Sequence, residues 1–334
     1  VKISELGERK LITRLNSLVE IETDDHLAKY DDAFYFESST LGDLVIHADM
    51  LVAKTDVPKQ MEFFQVGVKS VIMNLSDLVV KGIEPKGMIV VLGLSSTMDV
   101  QDFDDLLGGI GKTAARYNVK YIGGDINEAD DLVVSITVFG FHREGRIVPR
   151  KGIQPGQIVA TTGQFGFNAV GLKLLLHDAS QDKLDRYQSC CDAVIRPTLN
   201  YEAMLDVAHQ DGVVASIDSS DGLSASLVDL MDMNECGFLI DSLPVDPLVE
   251  QFSQEFETDL TDLLFFGGEE YHAIFVIDDQ AWPEIHAYAM DHGHYLERIG
   301  ITIPEKEIIY EDASRGITQH ITRRGFEHFG QVSY

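Results

Sequence analysis

The sequence predicts a mixed α/β protein built as two units. Strand-type and helix-type apolar patterns alternate from the N-terminus to about residue 141. A stretch of turn residues and basic side chains follows, and beyond it a second series of strand and helix patterns begins. With 334 residues the chain is long enough for two domains, each with its own core.

Leu11, Leu15 and Leu18 give Leu6–Val19 a helical spacing. Ala33–Phe36 and Leu44–Ala48 read as short strands. Gln65–Lys81 reads as a helix whose buried face is Val68, Val71, Ile72, Leu75, Leu78 and Val79. Its polar stripe, Ser70, Asn74, Asp77 and Lys81, reads on its own as a solvated face. Lys86–Leu94 reads as a buried strand, Val100–Tyr117 as a helix, Val119–Ile122 as a strand ending at Gly123-Gly124-Asp125, and Leu132–Phe141 as a partly alternating strand. The boundary falls in His142–Gly156, where Gly145, Pro149, Gly152, Pro155 and Gly156 punctuate the chain. Ile158–Thr162 is then a strand, Gly163–Gly166 a turn, and Asn168–His177 a helix. Val213–Ile217 is a strand ahead of a helix marked by Leu223, Leu227, Leu230 and Met231, with Ser219, Ser220 or Asp221 as its N-cap. Leu263–Phe266 and Ala273–Ile277 read as strands.

Composition excludes several classes. Apolar content of 45% with 24% charged residues describes a soluble globular protein. The longest clearly apolar run, Met88–Leu94, is far too short to span a membrane. The start VKISELGERK has no apolar h-region, so no signal peptide is expected. Three cysteines, Cys190, Cys191 and Cys236, argue against a disulfide framework and fit a reducing, cytoplasmic setting. The net charge of −29 opposes binding to nucleic acid. It does not oppose ATP, whose phosphates a cation and a local basic patch can neutralise.

The chemistry lies in six short acidic motifs: Asp31-Asp32, Ala48-Asp49, Asn74–Asp77, Gly123–Asp125, Ser216–Leu223 and Gly267–Tyr271. Each is weak alone, because Asp is common at strand ends and helix caps. Several follow a strand or open a helix, so their carboxylates can converge. Mg²⁺ takes oxygen ligands and bridges carboxylates to substrate phosphates, so a converging set suggests phosphate chemistry run on metal ions. Arg143, Arg146, Arg150 and Lys151 at the boundary are either a charged hairpin or a clamp for phosphate oxygens. Gly111-Lys112-Thr113 is no P-loop, since Leu106 stands where that motif needs glycine. No Rossmann glycine pattern, nucleophile elbow or zinc spacing is present.

In their order along the chain, these motifs resemble the thiamine-monophosphate kinase family. That family belongs to the ATP-binding superfamily of aminoimidazole ribonucleotide synthetase, selenophosphate synthetase and HypE-type proteins. The resemblance runs nearly end to end. It includes Gly7–Ile12, Asp31-Asp32-Ala33, Ala48–Val52, Val66–Lys69, Asn74–Leu78, Gly123–Asp125, Arg150–Gly156, Ser216–Leu223, Gly267–Tyr271 and the tail Gly325–Phe329. It implies a two-domain aminoimidazole ribonucleotide synthetase-like α/β fold, with an N-terminal domain over 1–145 that dimerises and a C-terminal domain over 150–334. It implies transfer of phosphate from ATP to thiamine monophosphate, with several Mg²⁺ ions and a homodimer with ATP near its interface. Metal ligands would be Asp32, Asp49, Asp77, Asp125, Asp218 and Asp221, of which Asp77, Asp125 and Asp218 would be central to catalysis. Gly124, Asp125, Arg150 and Ser220 would contact ATP. Asp56, Glu269 or Glu270, and Phe326 would hold the thiamine end.

Three positions depart from the family's usual pattern. Tyr30 replaces a glycine before the Asp pair, Ala48 replaces a threonine hydroxyl, and Asp56 replaces a histidine at a substrate position. These keep two alternatives in view: an ATP-dependent relative with another acceptor, and a Mg-nucleotide binder without turnover.

Overall fold

The computed structural model describes residues 33–36, 42–142, 147–177 and 179–324, with Lys10. Apart from Lys10, the helix expected over Leu6–Val19 lies outside them, as do Asp31-Asp32, Arg143, Arg146 and Phe326. Among the described residues there are twelve strands and eleven helices, arranged as two sheets.

The first half runs β1 (Phe34–Phe36), β2 (Asp43–Val52), α1 (Ala53–Asp56), α2 (Phe63–Val79), β3 (Pro85–Leu94), α3 (Val100–Arg116), β4 (Lys120–Glu128) and β5 (Val133–His142). Its strands order as β1-β2-β5-β3-β4. All neighbours pair antiparallel except β3 and β4. Helix α2 begins with a reciprocal cap between Glu62 and Gln65. Helices α2 and α3 cross at glycines. A Cβ on Gly67 would stand 2.2 Å from the Leu106 carbonyl oxygen, and one on Gly109 would stand 2.0 Å from that of Phe64.

The two faces of this sheet differ. Val134, Ile136 and Val138 of β5 are buried beneath the helices. Register places Leu51, Asp49 and His47 of β2 opposite those three residues, so they share the helix-covered face. The other face carries Met50, Ile89, Val91 and Phe141, all large, apolar and exposed.

The second half runs β6 (Ile158–Thr161), α4 (Phe167–Leu176), α5 (Gln181–Arg186), α6 (Gln188–Ile195), α7 (Tyr201–Ala208), β7 (Val213–Asp218), α8 (Leu223–Met233) and β8 (Gly237–Ile240). It continues with α9 (Pro247–Glu255), α10 (Leu260–Phe265), β9 (Ala273–Ile277), α11 (Trp282–Asp291), β10 (Glu297–Ile303), β11 (Ile308–Asp312) and β12 (Ile317–His320). The strand order is β12-β11-β8-β10-β6-β9-β7. Every residue of β6, β7 and β9 is buried, so this end of the sheet is covered on both faces. One core cluster lies wholly in this half, while the other runs from Leu75 and Val90 into Ile158, Val207 and Phe275.

Four expectations are corrected. Leu263–Phe266 is not a strand; its first three residues end the short helix α10, whose N-cap Asp259 accepts from Thr261 N–H at 2.8 Å. Helix α8 is capped by Gly222 (φ 96°) and not by the Ser or Asp residues before it; Ser219 Oγ accepts from His272 N–H at 3.0 Å and Ser220 Oγ donates to Asp218 Oδ1 at 3.3 Å. Strand β4 does not stop at Ile122 but continues through Gly123–Asp125 to Glu128, held by parallel pairing with β3. The polar stripe of α2 is not solvated: Ser70, Asn74, Asp77 and Lys81 are all buried, because that face meets β2 and the second half. Cys190 and Cys191 sit in α6 as buried free thiols. No described helix is long and apolar enough to cross a membrane.

Candidate active site

The buried stripe of α2 organises the site. Asn74 accepts from Asp49 N–H at 2.9 Å and donates to the Ser70 carbonyl at 2.9 Å, fixing the end of β2 against the helix. Ser76 donates to Asp218 Oδ2 at 2.7 Å, joining α2 to the end of β7 across the seam between the halves. Lys81, fully buried, donates to the Ser216 carbonyl at 2.7 Å, and Ser216 donates to that of Val80 at 2.7 Å. Asp77 stands among these contacts, with His47 Nε2 3.3 Å from its Oδ2.

Electrostatics confirms that these carboxylates are close. Burial pushes Asp77 well above the usual carboxylate range, and the charges of Asp218, Asp49 and Asp221 raise it further; Lys81 pulls it down. Desolvation around its carboxyl also raises Asp49, although the residue reaches the surface, and Asp218 and Asp56 add to the rise. His47 is pushed down by burial, with Asp49 and Asp218 opposing. Asp49, Asp77, Asp218 and Asp221 therefore repel one another within one region. Hard oxygen donors with mutual repulsion only partly offset by Lys81 fit a divalent cation such as Mg²⁺. Among the described residues no three His, Cys, Asp or Glu side chains already form a closed ligand set.

Beside the carboxylates, the loop after α10 is tied to the Asp218 motif. Glu269 N–H donates to the Ser220 carbonyl at 2.6 Å, and Ser220 Oγ to Asp218 Oδ1 at 3.3 Å. A Cβ on Gly222 would stand 2.0 Å from the Gly267 carbonyl oxygen, so the two loops pass too closely for any other residue. Glu269 (φ 65°) and Tyr271 (φ 52°) both hold left-handed backbone, a strain found where geometry serves a site. Lys69, buried in α2, donates at 2.5 Å to both Glu269 Oε1 and the Asp56 carbonyl. Glu269 Oε2 is buried without a hydrogen-bond partner, an expensive state that a donor on a ligand would relieve.

The expected residues divide into groups. Asp49, Asp77, Asp218, Asp221, Ser220 and Glu269 come together at the seam. Asp56 joins them through Lys69, but its carboxylate turns back to accept from Val52 N–H at 2.7 Å. Glu270 points elsewhere: it accepts from Gly166 N–H at 2.6 Å ahead of α4, and burial raises it well above the usual range. Gly124 and Asp125 lie in β4 at the sheet edge. Register aligns Asp125 with Val91, on the uncovered face. Arg150 is partly buried, its carbonyl accepting from Asn234 at 2.9 Å. His47, Lys69, Ser76 and Asn234 carried no role in the sequence reading. Ser76 and Lys69 lie inside quoted motifs, His47 reads in the sequence as structural or surface rather than catalytic, and nothing singles out Asn234.

The AIR synthase related protein, N-terminal domain family matches residues 30–142. A thiamine-monophosphate kinase from Nitrosopumilus maritimus is 27% identical over 286 residues, covering 86% of this chain and 89% of that protein. One from Pyrococcus horikoshii is 30% identical over 267 residues, covering 77% and 79%. The chain belongs to the thiamine-monophosphate kinase family. Its fold agrees: AaThiL, solved with AMPPCP and TMP, superposes with a TM-score of 0.83 over 98% of this chain and 99% of its own, at 22% identity. The seam at Asp218 and Glu269 is therefore the candidate active site of a thiamine-monophosphate kinase family member.

Proposed function

We propose that this chain transfers the γ-phosphoryl group of ATP directly to the phosphate of thiamine monophosphate, releasing ADP and thiamine diphosphate. A phosphate oxygen of the acceptor forms the new bond to the γ-phosphorus as the bond to the ADP oxygen breaks, in line. The acceptor is already an anionic nucleophile, so no general base is assigned. Rate comes from positioning and charge neutralisation. The observation that carries the reading is the gathering of Asp49, Asp77, Asp218, Asp221, Ser220 and Glu269 from four distant motifs in a member of this family.

Asp49, Asp77, Asp218 and Asp221, with Asp32, would hold Mg²⁺ at the seam, and Asp125, on the other face of the sheet, would hold a further Mg²⁺. When bound, that cation offsets the repulsion between two phosphate-bearing substrates. The buried Oε2 of Glu269 supports a role in accepting from the thiamine end, with Lys69 orienting its carboxylate; Phe326 is assigned to the same end. Asp56 is assigned to the same end, with one carboxylate oxygen already accepting from Val52 N–H. Gly124, Asp125, Arg150 and Ser220 are assigned to ATP.

The exposed apolar face of Met50, Ile89, Val91 and Phe141 supports a homodimer in which a second copy covers it. Asp125 on that face would then lie at the interface, with ATP. We assign residues 1–145 to the dimerising domain and 150–334 to the domain that completes the site. The free, buried cysteines support a cytosolic protein.

The test is phosphoryl transfer from ATP with Mg²⁺, with and without thiamine monophosphate, reading thiamine diphosphate directly. Product that requires both substrates and the metal is expected. Bound Mg·ATP with no product would assign the chain another acceptor.

A further inference from the structure

Oxygen donors alone do not line this cluster. His47 lies on the helix-covered face of β2, two residues before Asp49 and on the same side of the strand. Its Nε2 is 3.3 Å from Asp77 Oδ2. That is longer than the about 2.7–2.9 Å of a charge-assisted hydrogen bond, so the pair is a loose one that a cation entering between the two groups can replace. Two donors about 2.1–2.2 Å from one octahedral cation, at roughly 90–100° to each other, stand about 3.0–3.3 Å apart. The His47–Asp77 spacing is that of adjacent ligands. Both side chains keep some solvent access, 14% and 13%, while His47 Nε2 itself is buried, so an ion bound here would replace the contact with Asp77 rather than a water.

We propose that His47 is a nitrogen ligand to the cation held by Asp77, and that it shifts this site's preference from Mg²⁺ toward Mn²⁺ and Co²⁺. Mg²⁺ is a hard ion that favours oxygen, whereas imidazole favours the transition ions. The loss of a threonine hydroxyl at Ala48 does not oppose this, because Ala48 sits on the other face of β2. The proposal rests on the carboxylate reading above and assigns a different donor within it.

The test is pulsed electron paramagnetic resonance of Mn²⁺ added alone to the full chain, since adenine could itself supply a nitrogen. Bound Mn²⁺ should show ¹⁴N modulation from one imidazole. In His47→Ala that modulation should vanish, Mn²⁺ affinity should fall about tenfold, and Mg²⁺ affinity should fall less. Bound Mn²⁺ without ¹⁴N modulation in the wild type would overturn the His47 assignment while leaving the carboxylate site standing, and needs no variant to fold. Modulation that survives in His47→Ala would overturn it equally. If no Mn²⁺ binds to the chain alone, the His47 assignment is overturned, while the carboxylate site, which substrate phosphate oxygens would complete, still stands.

Discussion

The two sheets solve the same burial problem differently. The first buries one face under α2 and α3 and leaves Met50, Ile89, Val91 and Phe141 exposed on the other. In the second, β6, β7 and β9 are buried at every position. A sheet covered on both faces needs no partner there, whereas the bare apolar face is the surface that the proposed homodimer would cover. The carboxylate cluster sits where the two meet and borrows from both. Asp49 and Asp77 come from the one-sided layer, Asp218 and Glu269 from the two-sided one.

The largest test of this contrast is one substitution made twice. Val276→Lys in β9 places an ammonium group in a fully covered core and should cost about 4 kcal/mol or more, leaving little folded protein. Val91→Lys in β3 places it on the bare face, where Val91 is 43% exposed. That variant should fold with a melting temperature close to wild type, sediment as a monomer and bind ATP more weakly. A Val91→Lys protein that stays dimeric would mean the bare face is not the interface.

At the seam, Asp77→Asn should lower kcat by about 10³-fold, because charge neutralisation carries the reaction. Stability should hold or rise, since the change removes a buried carboxylate raised by its own burial and by Asp218, Asp49 and Asp221. Activity and melting temperature moving in opposite directions would mark Asp77 as a functional group that the fold tolerates. A parallel loss of both would make it structural.

How much of this the sequence disclosed also follows the contrast. The elements of the first half are long and strongly patterned, and α2, β3, α3 and β5 emerge within a residue or two of their periodic spans. In the second half the helices are short. Helices α5, α7, α9 and α11 and strands β8, β10, β11 and β12 had no reading, because four to ten residues carry too little periodicity, and α6 was legible only as a helical setting for Cys190 and Cys191. The acidic motifs could be named, but their grouping could not. Asp125 and Asp49 both follow apolar strand residues, yet only register separates them to opposite faces. Ser70, Asn74, Asp77 and Lys81 looked like a wet stripe because polarity alone does not distinguish a solvated face from one buried against polar partners. Glu269 and Glu270 are neighbours with similar burial, and only their hydrogen bonds send one to Lys69 and the other to Gly166.

The smallest effect concerns pH. His272 borders the two-sided sheet; its Nε2 is 3.0 Å from the Gln164 carbonyl, and its ring lies where a Cβ on Gly163 would stand 2.3 Å away. Burial lowers its pKa from 6.5 to about 4. The unfolded chain therefore binds a proton near pH 6.5 that the folded chain refuses until about pH 4. This stabilising contribution is fully present above pH 6.5 and is lost as pH falls through about 4, at most about 3 kcal/mol. Asp77 and Glu270, raised by burial, act with the opposite sign, so the wild-type curve alone would mix them. Urea unfolding of wild type and His272→Gln from pH 8 to pH 4 isolates the histidine. The difference in unfolding free energy should shrink in favour of the variant as the solution is acidified. A difference constant across that range would mean His272 takes up its proton in the folded protein as readily as in the unfolded chain.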